Sequence, residues 1–282
     1  MKSNFDCVIV GCGIAGMTAA IYLKRANVNF CIIDFNAPGG TLNKVKTISN
    51  YPGFKEISGP ELAFRVFEQI SSLDILIKYG KVLKIEDNII TTDKEEIKAK
   101  KIIIATGRPP KHIKLLEDLD NVSYCALCDG SLYKNKNVAL IGKSETAYNE
   151  AIYLSSLCNK VTIISEDEIN FAPLKNYNNI VLKEKNNLKL IEKEKNLVKK
   201  IITDKEIIDV DAVFVYNGYE PKTDFVKGIK LKNGYIIVNK NMQSSNKDIY
   251  ACGDIILKDI YQITTAVSEA TIAAINVKKE LS

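Results

Sequence analysis

Phe5-Asp6-Cys7-Val8-Ile9-Val10-Gly11-Cys12-Gly13-Ile14-Ala15-Gly16-Met17 is the stretch whose reading decides the fold. Phe5–Val10 is apolar and β-branched, so it reads as a buried strand. Three glycines follow at 11, 13 and 16, and a helical pattern runs from Met17 to Ala26. Gly11 permits a tight turn. Gly13 bares backbone N–H groups at a helix start, where a pyrophosphate can approach, with Ala15 in the same turn. Gly16 lets helix and strand pack closely. Val28–Asp34 is the next strand and completes a β–α–β unit of the dinucleotide-binding type. Asp34 ends that strand 21 residues after Gly13. An acid there accepts hydrogen bonds from ribose hydroxyls and repels a 2′-phosphate. Asp6 and the glycines also break up any reading of the start as a secretory signal.

Working outward, Ala99–Ala105 is another buried strand, ending at Thr106-Gly107, and Pro109-Pro110 breaks the chain. A second β–α–β unit follows: strand Asn137–Ile141, helix Glu145–Leu157, strand Lys160–Ser165. Short apolar stretches up to Val215 read as a β-meander. Lys232-Asn233-Gly234-Tyr235 carries a hairpin signal. Ile249–Ala251 is a last strand before Cys252-Gly253-Asp254, and a helical pattern from Thr264 to Lys278 closes the chain. The expected fold is α/β, with two Rossmann-like three-layer domains, the second inserted into the first. The first is placed at residues 1–110 plus 218–282 and the second at 111–217.

Composition excludes several classes. The chain has 282 residues, 46% apolar and 26% charged, enough to bury a core without staples. No apolar run reaches the roughly 18 residues that span a bilayer, so a cytoplasmic location is the default expectation. A net charge of +5, with acids and bases interspersed, is too weak for nucleic acid. The split domain carries 24 basic and 18 acidic residues (+6) and the insert 15 and 16 (−1). Any basic docking surface is expected on the split domain. Of seven cysteines, Cys7, Cys12, Cys31, Cys158 and Cys252 lie in apolar or tightly turned stretches and read as small buried hydrophobes. The sole histidine, His112, reads as a solvated linker residue, and no metal site is expected.

The remaining two cysteines stand in Cys125-Ala126-Leu127-Cys128-Asp129-Gly130. Structural zinc needs four ligands, and no second pair stands at a suitable spacing. A redox dithiol fits better. Two intervening residues let a disulfide close locally, and such motifs lower the thiol pKa. Asp129 is placed to relay a proton, and Asp129-Gly130 also suits a plain turn.

Gly39-Gly40-Thr41-Leu42, Asn50-Tyr51-Pro52-Gly53-Phe54, Ala105-Thr106-Gly107, Cys252-Gly253-Asp254 and Gln262…Thr265-Ala266, with Cys-x-x-Cys-Asp-Gly in the insert, resemble the motifs of low-molecular-weight bacterial thioredoxin reductases. The resemblance runs from about residue 5 to residue 275. It implies FAD in the split domain, contacted by Gly11, Gly13, Ala15, Gly16, Asp34, Gly40, Thr41, Leu42, Asn50, Thr106, Gly107, Gly253, Asp254, Gln262, Thr265 and Ala266. Asp254 would lie near the ribityl–phosphate chain. It also implies a homodimer, with Cys128 as the sulfur that faces the flavin and Cys125 as the one that exchanges with a partner disulfide. Thr41 stands where the family usually has Gln, and Tyr261 where Arg usually precedes Gln262.

The second nucleotide site departs from that pattern. Gly-x-Gly-x-x-Ala is replaced by Gly142-Lys143-Ser144-Glu145-Thr146-Ala147, so the central glycine is Ser144 or Lys143 depending on alignment. Glu145 places a carboxylate at the same helix start. The basic cluster for the NADPH 2′-phosphate is replaced by Ser165-Glu166-Asp167-Glu168. The pattern resembles the ferredoxin-dependent flavin thioredoxin reductases, which use no pyridine nucleotide. That resemblance implies that reduced ferredoxin, an acidic one-electron donor, supplies FAD, and that Cys125 and Cys128 then reduce thioredoxin. Three other readings stay open: an NAD(P)H-dependent thioredoxin reductase with a degenerate nucleotide site, a flavin dithiol oxidase using O₂, and a redox sensor without turnover.

Overall fold

The computed structural model describes residues 3–45, 47–109 and 111–282. Pro110, half of the expected Pro109-Pro110 break, lies outside them. The chain divides into two compact units, Met1–Pro109 with Glu220–Ser282, and Pro110–Tyr219.

In chain order the first unit begins with β1 (Ser3–Val10), α1 (Ile14–Arg25), β2 (Phe30–Asp34), α2 (Gly59–Ser71), β3 (Ile77–Tyr79), β4 (Val82–Glu86), β5 (Ile89–Thr92) and β6 (Glu96–Ile104). The second contains β7 (Val122–Ser123), α3 (Ala126–Asp129), β8 (Asn137–Gly142), α4 (Glu145–Ser155), β9 (Lys160–Ile164), β10 (Ile180–Lys183), β11 (Leu188–Glu194), β12 (Leu197–Thr203), β13 (Ile207–Asp209) and β14 (Ala212–Tyr216). The first unit resumes with β15 (Leu231–Lys232), β16 (Tyr235–Ile236), β17 (Ile249–Ala251) and α5 (Ile263–Leu281).

The first unit is built on a sheet in the order β3-β2-β1-β6-β5-β4, with β17 also paired to β6. β3, β2, β1, β6 and β17 run parallel. β1 is apolar throughout because both its faces are covered. Cys7 and Ile9 face a core shared with α1 and α5, while Val8 and Val10 face a second core with Ile85, Ile90 and Ile256. α5 buries Ala266, Ala270, Ala273, Ala274 and Val277 at helical spacing. These small side chains let it lie close against α1. The second unit repeats the three layers. Its sheet runs β10-β9-β8-β14-β7, all parallel. α4 covers one face, and the antiparallel β11–β13 covers the other.

Three details differ from the sequence reading. α1 starts at Ile14 rather than Met17, because the glycine loop is itself the helix start, with Gly13 as N-cap. The expected meander up to Val215 is only β11–β13. β10 and β14 join the parallel sheet instead, and a short apolar run does not reveal which neighbour it pairs with. Residues 55–98, to which the sequence reading assigns no elements, hold α2 and β3–β5. α2 carries a readable start, with Ser58 accepting from the Glu61 N–H at 3.2 Å and Pro60 in its first turn. The Asn233-Gly234 hairpin forms as expected, with φ of 53° and 80°, the type I′ geometry.

Lys101 on β6 locks the end of α5. Its side chain, 10% exposed, donates to Asp248 Oδ1 at 2.8 Å and Glu280 Oε2 at 2.5 Å. The bond from Lys101 holds Glu280 below its ordinary range. Burial pushes Asp248 up, but the donors Lys101 and Asn88 outweigh it and hold it low. Lys101→Met is expected to cost about 2 kcal/mol at pH 7, since it leaves two carboxylates without their shared cation. Because both carboxylates titrate below their ordinary values of 4.5 and 3.8, the difference from the parent persists down to that range. It then disappears as they protonate in the folded state. Urea unfolding at pH 7, 5 and 3 measures it.

Candidate active site: an open glycine cradle and a disulfide

At the C-terminal ends of β1, β2, β6 and β17 the chain makes four tight turns, the place where open α/β sheets bind ligands. Gly11 has φ of 105°, and a Cβ there would lie 2.5 Å from the Ala105 carbonyl. A Cβ on Gly16 would sit 1.8 Å from the Gly11 carbonyl. Both glycines are demanded by the protein's own backbone. Gly13 differs: a Cβ there meets nothing within 4 Å, and it caps α1 with no side-chain hydrogen bond and no acid in the first turn. The first N–H groups of α1 therefore face open space.

The expected partners gather around this helix start. Asp34 Oδ2 accepts from the Cys12 N–H at 2.6 Å, and Oδ1 from the Asn36 N–H at 3.0 Å. The turn that carries Gly40, exposed Thr41 and buried Leu42 is tied down by the Gly39 N–H donating to the Cys12 carbonyl at 2.8 Å. Gly253, with φ of 75°, brings its turn against Ala15, where a Cβ would clash at 2.9 Å. Beside it, Asp254 Oδ1 is buried without a hydrogen-bond partner, with Lys258 Nζ 3.4 Å away. At the start of α5, Asn50 Nδ2 donates to Gln262 Oε1 at 3.1 Å, and Gln262 and Thr265 form a reciprocal cap above buried Ala266. Thr106 is exposed after β6, and Gly107 has φ of 69°.

Sequence reasoning missed two supports. Glu269 of α5 accepts from the Gly253 N–H at 3.0 Å and pairs with Lys258 at 2.8 Å; burial pushes its carboxyl up against that pairing. It falls on the buried side of a helix, where no motif marks it. Arg108 lies 3.3 Å over the Tyr261 ring and donates to the Tyr235 hydroxyl at 3.1 Å. A guanidinium is thus returned against Tyr261, the residue that stands where the family usually has arginine.

In the second unit Cys125 and Cys128 form a disulfide, with Cα atoms 5.3 Å apart. Both are half-buried. The single turn of α3 closes it, with the Cys128 and Asp129 N–H groups donating to the Cys125 carbonyl at 3.2 and 3.1 Å. Buried Ser123 donates to Asp129 Oδ2 at 2.6 Å and accepts from the Cys125 N–H at 3.1 Å. The other five cysteines are free and buried. Burial pushes Cys12, Cys31 and Cys252 up to about 12 and Cys158 to about 11, far from thiolate formation at neutral pH. His112 is exposed and meets the Tyr124 hydroxyl at 3.0 Å.

The start of α4 contrasts with that of α1. Ser144 is the N-cap, so it, not Lys143, stands where Gly13 stands in the first unit. Its hydroxyl accepts from the Ala147 N–H at 3.2 Å, and Glu145 occupies the first turn. Lys143 pairs with Asp167 at 3.0 Å, and Lys185 pairs with Glu168.

The sequence pattern of the pyridine nucleotide-disulphide oxidoreductases matches residues 5–270. A thioredoxin reductase of Mycoplasma genitalium is 36% identical over 98% of this chain and 95% of its own. The solved thioredoxin reductase of Streptococcus pyogenes superposes with a TM-score of 0.93 at 33% identity, covering 100% of this chain and 99% of that one. A ferredoxin-flavin thioredoxin reductase structure from Clostridium acetobutylicum gives a TM-score of 0.57 at 31% identity, covering 100% and 99%. The chain belongs to the pyridine nucleotide-disulphide oxidoreductase family. It is a flavoprotein disulfide oxidoreductase with thioredoxin reductases as homologues.

Thioredoxin reductases of this family bind FAD, and the first unit of this oxidoreductase fits that group. Open space lies before Gly13, the start of α1 lacks a side-chain cap, and the buried Asp254 Oδ1, 3.4 Å from Lys258 Nζ, accepts no hydrogen bond among the described residues. Gly13→Ala is expected to fold and melt within about 1 kcal/mol of the parent, because its Cβ strikes no protein atom. It should retain several-fold less FAD. Flavin absorbance per chain after dialysis, read beside the melting curve, checks both. Gly16→Ala should fail in the opposite way, by loss of the fold.

Proposed function

We propose that this flavoprotein reduces thioredoxin with electrons from reduced ferredoxin rather than from NADPH. The observation that carries the reading is the self-capped start of α4. A pyrophosphate there would displace the Ser144 hydroxyl from the Ala147 N–H and face Glu145. Each charge-assisted hydrogen bond it forgoes is worth about 1.5–3 kcal/mol. Losing the one bond to the Ala147 N–H weakens binding by about ten- to a hundredfold. Glu166, Asp167 and Glu168 add repulsion toward a 2′-phosphate, and Lys143 and Lys185 pair with Asp167 and Glu168. The C. acetobutylicum structure, a ferredoxin-flavin enzyme by its description and 31% identical to this chain, is an instance of such a donor on this fold.

In this reading the turns carrying Gly11, Gly13, Gly40, Gly253 and Asp254 would hold the pyrophosphate and ribityl chain of FAD, and Asp34 its ribose. Bound FAD would supply the exchange between single electrons and the electron pair that opens a disulfide. Opening Cys125–Cys128 takes two electrons and two protons. Asp129, held by Ser123, gives or takes a proton at the exchanging thiol. The Cys125 thiolate then attacks the partner disulfide, forming a mixed disulfide and releasing one partner thiol. Cys128 attacks Cys125 to release the other. The acidic donor suits the first unit, whose residues 1–110 and 218–282 carry +6. The enzyme would work as a cytoplasmic homodimer.

Anaerobic titration of the purified flavoprotein is expected to show fast flavin reduction by reduced ferredoxin and almost none by NADPH or NADH. Rapid reduction by either nucleotide would overturn the donor assignment. Cys128→Ser should leave a flavin that is reduced normally but passes nothing to thioredoxin. Surviving turnover would remove the dithiol from the pathway.

A further inference from the structure

β7 and β14 are neighbouring parallel strands, with Ser123 paired to Phe214. Ser123 ends β7, Tyr216 ends β14, and Tyr219 follows shortly after. All three hydroxyls reach the turn that carries the disulfide. The Tyr219 hydroxyl donates to the Tyr124 carbonyl at 3.0 Å. The Ser123 hydroxyl accepts from the Cys125 N–H at 3.1 Å. The Tyr216 hydroxyl accepts from the Ala126 N–H at 2.6 Å. The backbone is thus held by side chains before, at and after Cys125.

Ser123 has one proton to give. It stands 2.6 Å from Asp129 Oδ2 and 3.3 Å from the Cys125 carbonyl, so the proton goes to the carboxylate. The same hydroxyl therefore clasps the chain at Cys125 and at Asp129, the two ends of the turn. Ser123 is 5% exposed, Tyr216 7% and Ala126 fully buried, so water does not compete for these bonds. None of them involves a sulfur. They keep their partners whether the sulfurs are joined or apart. In a turn without such a frame, opening a disulfide releases the backbone, and the freedom gained favours the dithiol. Here the backbone stays in place, the two thiols remain close, and the effective concentration of one for the other stays high.

We propose that Tyr216 and Tyr219, with Ser123, are positioning residues of the redox dithiol: a hydroxyl frame that holds residues 124–129 in the shape of the disulfide in both redox states. A high effective concentration favours the disulfide, so the reduced pair is a stronger reductant toward its partner. The inference rests on the redox role of Cys125 and Cys128 and is independent of which donor feeds the flavin.

The test is the thiol–disulfide equilibrium of the holoenzyme in anaerobic dithiothreitol buffers at pH 7, read by alkylation and mass. Dithiothreitol closes to its cyclic disulfide and passes two electrons and two protons to the Cys125–Cys128 disulfide. Neither ferredoxin nor nucleotide is needed. Tyr216→Phe removes only the hydroxyl at the Ala126 N–H. It is expected to move the equilibrium about tenfold toward the dithiol, about 30 mV. Tyr219→Phe should move it the same way by about threefold. Tyr148→Phe is the control, a buried tyrosine of α4 packed on Phe171, and should stay within about twofold of the parent. Both frame variants within about twofold of the parent, with unchanged melting curves, would overturn the proposal. So would a shift in Tyr148→Phe as large as theirs, which would mark a general loosening of the unit. If Tyr216→Phe does not fold, Tyr219→Phe decides by the same limit. A parent pair that dithiothreitol does not reduce would sink the dithiol reading itself, and this proposal with it.

Discussion

The start of α1 is the constraint on which the first unit depends. Gly11 and Gly16 let β1, the turn and the helix approach to distances that any side chain would forbid. That closeness aims the first N–H groups of the helix outward, and Gly13 leaves them uncovered. The segments after β2 and β17 are fastened against it by Asp34, the Gly39 N–H and Gly253, and the Asn50–Gln262 pair ties a further loop to the start of α5. A helix start held open in this way is a site for a negative group.

The second unit uses the same architecture to the opposite end. Its β–α–β unit keeps Gly142, where a Cβ would lie 2.9 Å from Ala147, so the tight turn is preserved. The position that should be bare carries Ser144, which satisfies the helix from within. On the proposed reading, a fold survives while its ligand site closes, because packing and binding depend on different glycines of one motif. The redox chemistry sits elsewhere in the unit, on the short α3. Ser123, Tyr216 and Tyr219 secure the backbone of that segment from two strands.

Much of this was legible from residues alone. Strand, glycine loop and helix follow in order, and Asp34 stands where the motif needs an acid. The cysteine pair is local, so its closure needs nothing from the rest of the fold. The elements that escaped reading were those whose identity depends on a neighbour. β10 and β14 look like meander strands until their parallel partners are known. In residues 55–98 only the Ser58–Pro60 helix start is a local signal; β3–β5 are short and carry none.

The sequence by itself determined the α/β fold, the open glycine turn and the dithiol, because each is written in residues close together along the chain. Only the tertiary structure decided which residue occupies the start of α4, since that depends on where the helix begins. It alone placed Arg108 over Tyr261 and the Tyr216 hydroxyl on the Ala126 N–H. Those contacts join segments far apart in sequence, and no local pattern records a partner that only folding supplies.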